Sequence, residues 1–245
     1  MRRTIMLVIL SFCIMCSFFI VLIYVYKNGK DKQLEDTQDE VVEEFKIEDI
    51  KVENENNTHN KLMIVAHPDD ETIFGGAHLI EDDYTVVCVT CGVVDYRLDE
   101  YKKVLETSND KYVYLSHTDL RKNNTVSDWE NGEKEEIKKE LEKIINLREW
   151  EMIVTHNPDG EYGHKHHKMI DVMVTDLVTD KDKLYYFGKF YKRNVVNDMP
   201  VLDKELYKKK KELLDLYVSQ LACTDQSSFY YMFQHENWVK YSDWK

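Results

Sequence analysis

Proline and glycine are scarce in this sequence, 3 and 8 of 245 residues. That excludes a collagen-like or low-complexity chain. Positive charge is also short. Lys and Arg total 33 against 46 Asp and Glu, a formal net charge of −13. Binding nucleic acid through its phosphates needs clustered Lys and Arg, so no nucleic-acid partner is expected. The 5 cysteines form no paired framework: Cys13 and Cys16 lie in an apolar N-terminal run, which leaves Cys88, Cys91 and Cys223. Buried thiols in a reducing compartment are expected rather than disulfides. No G-x-G-x-x-G follows the first apolar run, which disfavours a dinucleotide-binding domain. Gly75-Gly76 falls inside a helical stretch instead, where it would permit close helix–sheet packing.

Long hydrophobic runs are absent but for one. Thr4 to Tyr26 carries no charge. As a helix it would be about 34 Å long, enough for the ~30 Å core of a bilayer. A secretory signal would be shorter and end in small residues, whereas this run ends in Tyr24-Val25-Tyr26-Lys27. The expectation is an uncleaved single-pass anchor over 1–26 and a membrane-attached protein. Arg2 and Arg3 before the run nearly balance Lys27, Lys30 and Lys32 after it, so the side of the membrane is not indicated. Residues 27–60 read as an acidic stalk, too poor in apolar side chains to offset its ordering entropy. Asn56-Asn57-Thr58 and Asn123-Asn124-Thr125 match the N-glycosylation pattern, a short pattern that arises by chance in an Asn-rich chain.

From Lys61 onward, short apolar runs alternate with amphipathic stretches. Strands are predicted at 61–66, 85–90, 111–115, 151–155 and 184–190. Helices are predicted at 71–82, 97–108, 133–147, 164–178 and 203–220. In the third of these, Ile137, Leu141, Ile144 and Ile145 recur at helical spacing and mark a buried face. Such alternation predicts an α/β fold for 61–245: a Rossmann-like, mostly parallel sheet with helices on both faces, here preceded by the expected transmembrane helix.

In open α/β sheets ligands bind beyond the carboxyl ends of the strands, and two such ends carry unusual residues. VAHPDDETIFGG, residues 65–76, puts His67, Asp69, Asp70 and Glu71 where the first strand ends and a helix opens. A helix N-terminus tolerates acids, which accounts for the carboxylates but not for His67. EMIVTHNPDGEYGHKHHK, residues 151–168, repeats the design with His164 and His167 three apart at the start of another helix; His166 is expected to be solvated or to support the others. Two strand ends in one sheet can bring His67, Asp70 and His167 around one divalent cation. Two imidazoles and a carboxylate suit zinc with one position open for water, and Fe2+ can use the same set. A cation would make the acid cluster favourable.

AHPDDE followed by GEYGHKHH resembles the PIG-L/LmbE-like de-N-acetylase family, whose members remove acetyl from N-acetylglucosamine linked to a lipid, inositol or other aglycone. KKELLDLYVSQ (210–220) is similar to the family's late helix ending in Ser-Gln. The resemblance covers most of 61–245. It implies that His67, Asp70 and His167 hold zinc, that Asp69 is the general base, and that His164 stabilises the oxyanion or protonates the leaving amine. It implies that Tyr162 contacts the tetrahedral intermediate. Arg97 with Glu100 resembles an R-x-x-E substrate motif, although an ordinary surface pair on a helix reads nearly as well, and Asp119 resembles a substrate-binding acid. A carboxylate should support His164; Asp159 and Glu161 are candidates, and His156 is a further neighbour. The implied partner is an N-acetylglucosamine-containing substrate, lipid-linked or not. The aromatic residues 229–233 with Trp238, and Tyr96 and Trp129 in the loops, could offer a sugar or lipid platform. Two other readings remain open here: hydrolysis of a different amide, and a membrane-tethered carbohydrate-binding or scaffold protein with an inactive site.

Overall fold

The computed structural model describes residues 59–119, 129, 132–196, 199–224 and 227–245. Six strands form one sheet: β1 (Lys61–Val65), β2 (Tyr84–Cys88), β3 (Lys111–Tyr114), β4 (Met152–Thr155), β5 (Leu184–Tyr186) and β6 (Val239–Lys240). The helices are α1 (Asp70–Glu81), α2 (Asp95–Ser108), α3 (Glu133–Ile145), α4 (Lys165–Leu177) and α5 (Lys204–Leu214). The strand order is β3-β2-β1-β4-β5-β6. β1 to β5 run parallel, and β6 joins β5 antiparallel.

The chain builds outward from β1 through β2 to β3, then returns to place β4 on the other side of β1. The connections therefore leave in opposite directions at β1 and β4, which opens a crevice beyond their carboxyl ends. Both faces of the sheet are covered. Alternate residues of β1 enter different cores: Leu62 and Ile64 meet Ile137, Leu141, Ile170 and Val174 of α3 and α4. Met63 and Val65 meet Leu79, Tyr101 and Leu213 of α1, α2 and α5. Burial on both faces is why these strands read as continuous apolar runs.

The predicted elements lie within one to four residues of the observed ones, with two instructive exceptions. The helix expected over 203–220 ends at Leu214 because its continuation is drawn into tertiary bonds: the Tyr217 hydroxyl donates to Glu71 Oε1 at 2.5 Å, and Ser219 donates from N and Oγ to Glu100 at 2.7 and 2.6 Å. β6, only two residues long, has no run to reveal it. Among the described residues no helix is long and apolar enough to cross a membrane. This corrects the expectation of a single-pass, membrane-located protein; the run 4–26 that prompted it lies outside the described residues, as do both N-glycosylation patterns and most of the stalk.

Helix α1 is held in an unusual way. Ala77 N and His78 N donate to Glu236 at 2.8 and 3.3 Å. The carbonyls of Ile73 and Phe74 accept from Lys210 Nζ at 2.7 Å and Trp238 Nε1 at 2.8 Å. In a regular helix these four backbone groups pair with each other. Gly75 and Gly76 make room for the insertion. A Cβ on Gly75 would lie 2.8 Å from the Met63 side chain, and one on Gly76 would lie 2.9 Å from Lys210.

Far from the crevice, the Asp110 carboxylate accepts from Tyr84 N at 2.7 Å and from Ser108 Oγ at 2.5 Å. Burial pushes its carboxyl up to about 7. A raised carboxyl favours the protonated form in the folded state, so its contribution is complete at low pH and is lost as pH rises from about 4 through 7. Asp110→Asn, which keeps the acceptor for Tyr84, is therefore expected to flatten the pH dependence of denaturation midpoints in that window. An unchanged slope would contradict it.

Candidate active site

The turn after β1 is strained in a way that serves the crevice. Asp69 precedes α1 with φ 122° and makes no side-chain cap. A positive φ in a non-glycine residue costs on the order of 1–3 kcal/mol and recurs at functional sites. Acids at this helix start are therefore not explained by capping. Asp69 is 4 % exposed, and its amide is held by Glu71 Oε2 at 3.1 Å. Glu71 itself is buried, with Thr72 Oγ1 and the Tyr217 hydroxyl both donating to Oε1 at 2.5 Å. Burial and the neighbouring Asp70 push the Asp69 carboxyl well above the usual carboxylate range, against the pull of Arg97 and His67.

Asp70, His67 and His167 converge. His67 Nδ1 lies 3.1 Å from Asp70 Oδ2, His167 Nε2 lies 3.3 Å from the same oxygen, and the two nitrogens are 3.3 Å apart. Ligands about 2.0–2.1 Å from a tetrahedral ion are separated by about 3.3–3.4 Å. The triangle thus has the spacing of three tetrahedral ligands. The nitrogens turned away from it have acceptors. His167 Nδ1 meets Glu161 Oε2 at 2.5 Å, and His67 Nε2 meets Asp119 Oδ1 at 3.3 Å and His166 Nδ1 at 3.1 Å. Donation on the far side leaves the inward nitrogens free to ligate, the usual outer-shell arrangement around a metal. The residues fit a divalent cation. His164, Asp119, His156 and His166 also offer ligand atoms in overlapping groups. With no cation bound, burial opposes a charged His67, but Asp70 and Asp119 outweigh it and push its pKa up to about 9; a cation would have to displace that proton to take Nδ1.

The loop after β4 presents Glu161 by turn chemistry. Asn157 Oδ1 accepts from the amides of Asp159 and Glu161 at 3.0 and 3.1 Å, and its Nδ2 donates to the carbonyls of Phe187 and Gly188. Gly160 takes φ 64°, and a Cβ there would lie 2.6 Å from His164 O. Glu161 Oε2 also accepts from His156 Nδ1 at 3.1 Å. His156 Nε2 in turn lies 3.0 Å from Ala66 N and 3.4 Å from Asp70 Oδ2, a link across the two strand ends. Burial works against the charge on Glu161, yet His156 and His167 hold its carboxyl down to about 2.

The structure separates the other expected residues by role. Arg97 is no surface group: Nη1 donates to Asp119 at 2.7 Å and Nη2 to Pro68 O at 3.3 Å. Glu100 does not pair with it but is buried against Ser219. Asp119 bridges Arg97 and His67. His164 is the residue before α4, not within it, and its ring centre is 4.7 Å from that of His67 and 4.4 Å from that of His167. Neither expected support reaches it, because Asp159 is exposed and Glu161 faces His156 and His167. Its Nδ1 is buried without a partner. Burial, His67 and His167 hold its pKa down to about 2. Tyr162 is 44 % exposed over the crevice. His166 is fully buried and not solvated, stacked 3.8 Å from Trp129; Trp129 is a core residue and not a sugar platform. Asn157 and Glu71 carry much of the geometry; N-P-D-G turn chemistry was the signal for the first, and the second had none beyond its place in the acid run.

The family model described as PIG-L, GlcNAc-PI de-N-acetylase, matches residues 62–178. The uncharacterized protein L374 of Acanthamoeba polyphaga mimivirus is 34% identical over 164 residues, which cover 60% of this chain and 68% of that protein. This chain belongs to the PIG-L family. The PIG-L match takes in both strand ends that build the crevice and stops at the end of α4, before α5 and the aromatic C-terminal segment. The conserved protein TT1542 from Thermus thermophilus is similar with a TM-score of 0.45 and 11% identity, covering 67% of this chain and 81% of that one. A likeness of that degree says nothing about the site.

Proposed function

We propose that residues 61–245 form one catalytic domain. It removes the N-acetyl group from an N-acetylglucosamine-containing glycoconjugate, giving acetate and a free amino sugar. The observation that carries this reading is the ligand triangle of His67, Asp70 and His167 beside a buried Asp69 that lies outside it. A carbohydrate-binding descendant has no need of a strained, buried carboxylate next to a ligand set.

His67, Asp70 and His167 would hold the metal, taken here as zinc with Fe2+ as the alternative. When bound, such an ion supplies Lewis acidity and lowers the pKa of water towards ~7. Asp69, whose carboxyl a bound cation would return to its charged form, accepts the proton of the attacking water as the C–O bond forms. Lying outside the ligand triangle, it is free to give that proton to the amine when the C–N bond breaks. His164, half-buried and held neutral by its surroundings, donates an N–H to the carbonyl oxygen as charge develops, and Tyr162 stands on the same side. Arg97 and Asp119 hold the sugar at the rim, each restrained by the other. Glu161 is a positioning residue for His167. Glu161→Gln is expected to weaken zinc affinity about 10–100-fold, read by competition with a chromogenic chelator; a change under twofold would contradict that role.

The test is acetate release from N-acetylglucosamine and its glycosides by the full-length protein. Chelation should abolish it and added zinc should restore it. Absence of release from every N-acetylglucosamine conjugate by metal-loaded protein would refute the reading.

A further inference from the structure

Asp69 sits where a helix cap belongs and does not act as one. An aspartate just before a helix ordinarily turns its carboxylate back to accept from the second or third amide, with its own backbone extended. Here the side chain makes no such bond and φ is 122°. The carboxylate instead lines the cavity it shares with Asp70, His67 and His164. The ordinary cap lies close by, and a turn relaxed from positive φ would drop the carboxylate into it. Something must hold the turn open.

Glu71 is the first part of that hold. Its Oε2 accepts from Asp69 N at 3.1 Å. A glutamate side chain has three rotatable bonds, and one amide would not fix it. Its other oxygen is fixed independently: Thr72 Oγ1 and the Tyr217 hydroxyl each donate to Oε1 at 2.5 Å. With two donors on Oε1, Oε2 is left to the Asp69 amide. Thr72 is the next residue and moves with α1. Tyr217 comes from 146 residues away, beyond the end of the family match at residue 178. Of the three donors to Glu71, it is the one anchored outside this turn.

Tyr217 is itself fixed. Its ring is fully buried in the core with Leu98, Tyr101 and Leu213. Its backbone is held in the turn after α5, where Tyr217 N donates to Leu214 O at 3.1 Å and Gln220 N donates to Tyr217 O at 3.0 Å. Two residues on, Ser219 is bonded to Glu100 of α2. Strained backbone persists only where its surroundings over-determine it, and a rigid hydroxyl on a buried carboxylate does so here.

We propose that Tyr217 is a positioning residue for the reaction: its hydroxyl, through Glu71, keeps the Asp69 carboxylate out of the helix cap and in the cavity. The effect on rate rests on the reading of Asp69 as the base; the effect on the turn does not.

The experiment compares the full-length protein with Tyr217→Phe, which removes one oxygen and keeps the packed ring. Acetate release from N-acetylglucosamine and its glycosides should show kcat lower by about three- to tenfold, the worth of one neutral hydrogen bond, with KM and zinc per chain unchanged. The same substitution on the Asp69→Asn background should change the residual rate by less than about twofold, because its effect runs through the carboxylate already removed. A loss of general structure would be repeated in full there. Hydrogen–deuterium exchange reads the turn with no reaction: the peptide covering residues 66–73 should exchange faster in Tyr217→Phe, and peptides from α4 should not. Unchanged exchange over 66–73, a smaller fall in kcat, a change in zinc per chain, or a loss repeated on the Asp69→Asn background would overturn the proposal. If wild-type protein releases no acetate, the de-N-acetylase reading fails, and the exchange result alone decides whether Tyr217 holds the turn.

Discussion

Asp69→Asn is expected to lower kcat about 10²–10⁴-fold, the usual contribution of a positioned general base, while the metal content stays at the wild-type value. Asparagine keeps the shape of the side chain and is among the residues that tolerate positive φ, so the turn at φ 122° should persist. The Asp69 amide, bonded to Glu71, does not depend on the carboxylate. The substitution therefore removes a proton acceptor and little else. Asp69 is not part of the ligand triangle, which separates its effect from that of Asp70 one residue later. Steady-state rates beside elemental analysis on the same samples check both halves. A variant within threefold of wild type would remove Asp69 from the mechanism, and one that lost its metal would move it into the ligand set.

The second large effect lies in stability. Lys210 and Glu236 form an ion pair at 2.6 Å with both side chains fully buried. Burial opposes the charge on Glu236, but Lys210 and His78 hold its carboxyl below the usual range. Breaking such a pair by removing one partner typically costs about 3–5 kcal/mol, because the other charge is left unpaired. Here the cost includes the helix, since Lys210 serves the Ile73 carbonyl and Glu236 serves the amides of Ala77 and His78. Lys210→Ala is expected to lose stability of that order in urea denaturation. The double variant Lys210→Met with Glu236→Gln should recover part of it, as it leaves no lone charge and keeps an acceptor for the helix amides. A single-variant loss below about 1 kcal/mol would contradict this account of the pair. The device matters for function because α1 carries Asp70 at its first residue, and the C-terminal segment fastens that helix from outside the span matched by the family model.

Much of this is legible in the residues. The alternation of apolar runs and amphipathic stretches places five parallel strands, because strands buried on both faces need unbroken Val, Ile and Leu. The two histidine-bearing segments point to one site, because strands that neighbour each other at the reversal of strand order bring their carboxyl ends together. Arg97 is harder to read. On a helix an Arg and a Glu three positions on look like a surface pair, and only the packing of the 215–220 turn against Glu100 shows that they serve different partners. Trp129 reads as an exposed sugar contact and His166 as solvated or supporting the others, because nothing local says that they stack on each other while His166 Nδ1 meets His67. Glu161 reads as a support for His164 and instead orients His167, a choice set by a turn in which Glu161 itself takes φ 53°. The Lys210–Glu236 insertion joins residues far apart in sequence and leaves no periodic trace. The apolar run at the N-terminus satisfies every length criterion for an anchor, yet no helix of that kind exists among the described residues.

The central claim is that the ends of β1 and β4 form one metal centre, and metal content per chain tests it most directly. Elemental analysis of the full-length protein, alone and as Asp70→Ala and His167→Ala, should give one zinc per wild-type chain and none in either variant. Well-folded wild-type protein that holds no metal after supplementation would contradict the account, as would metal retained in both variants.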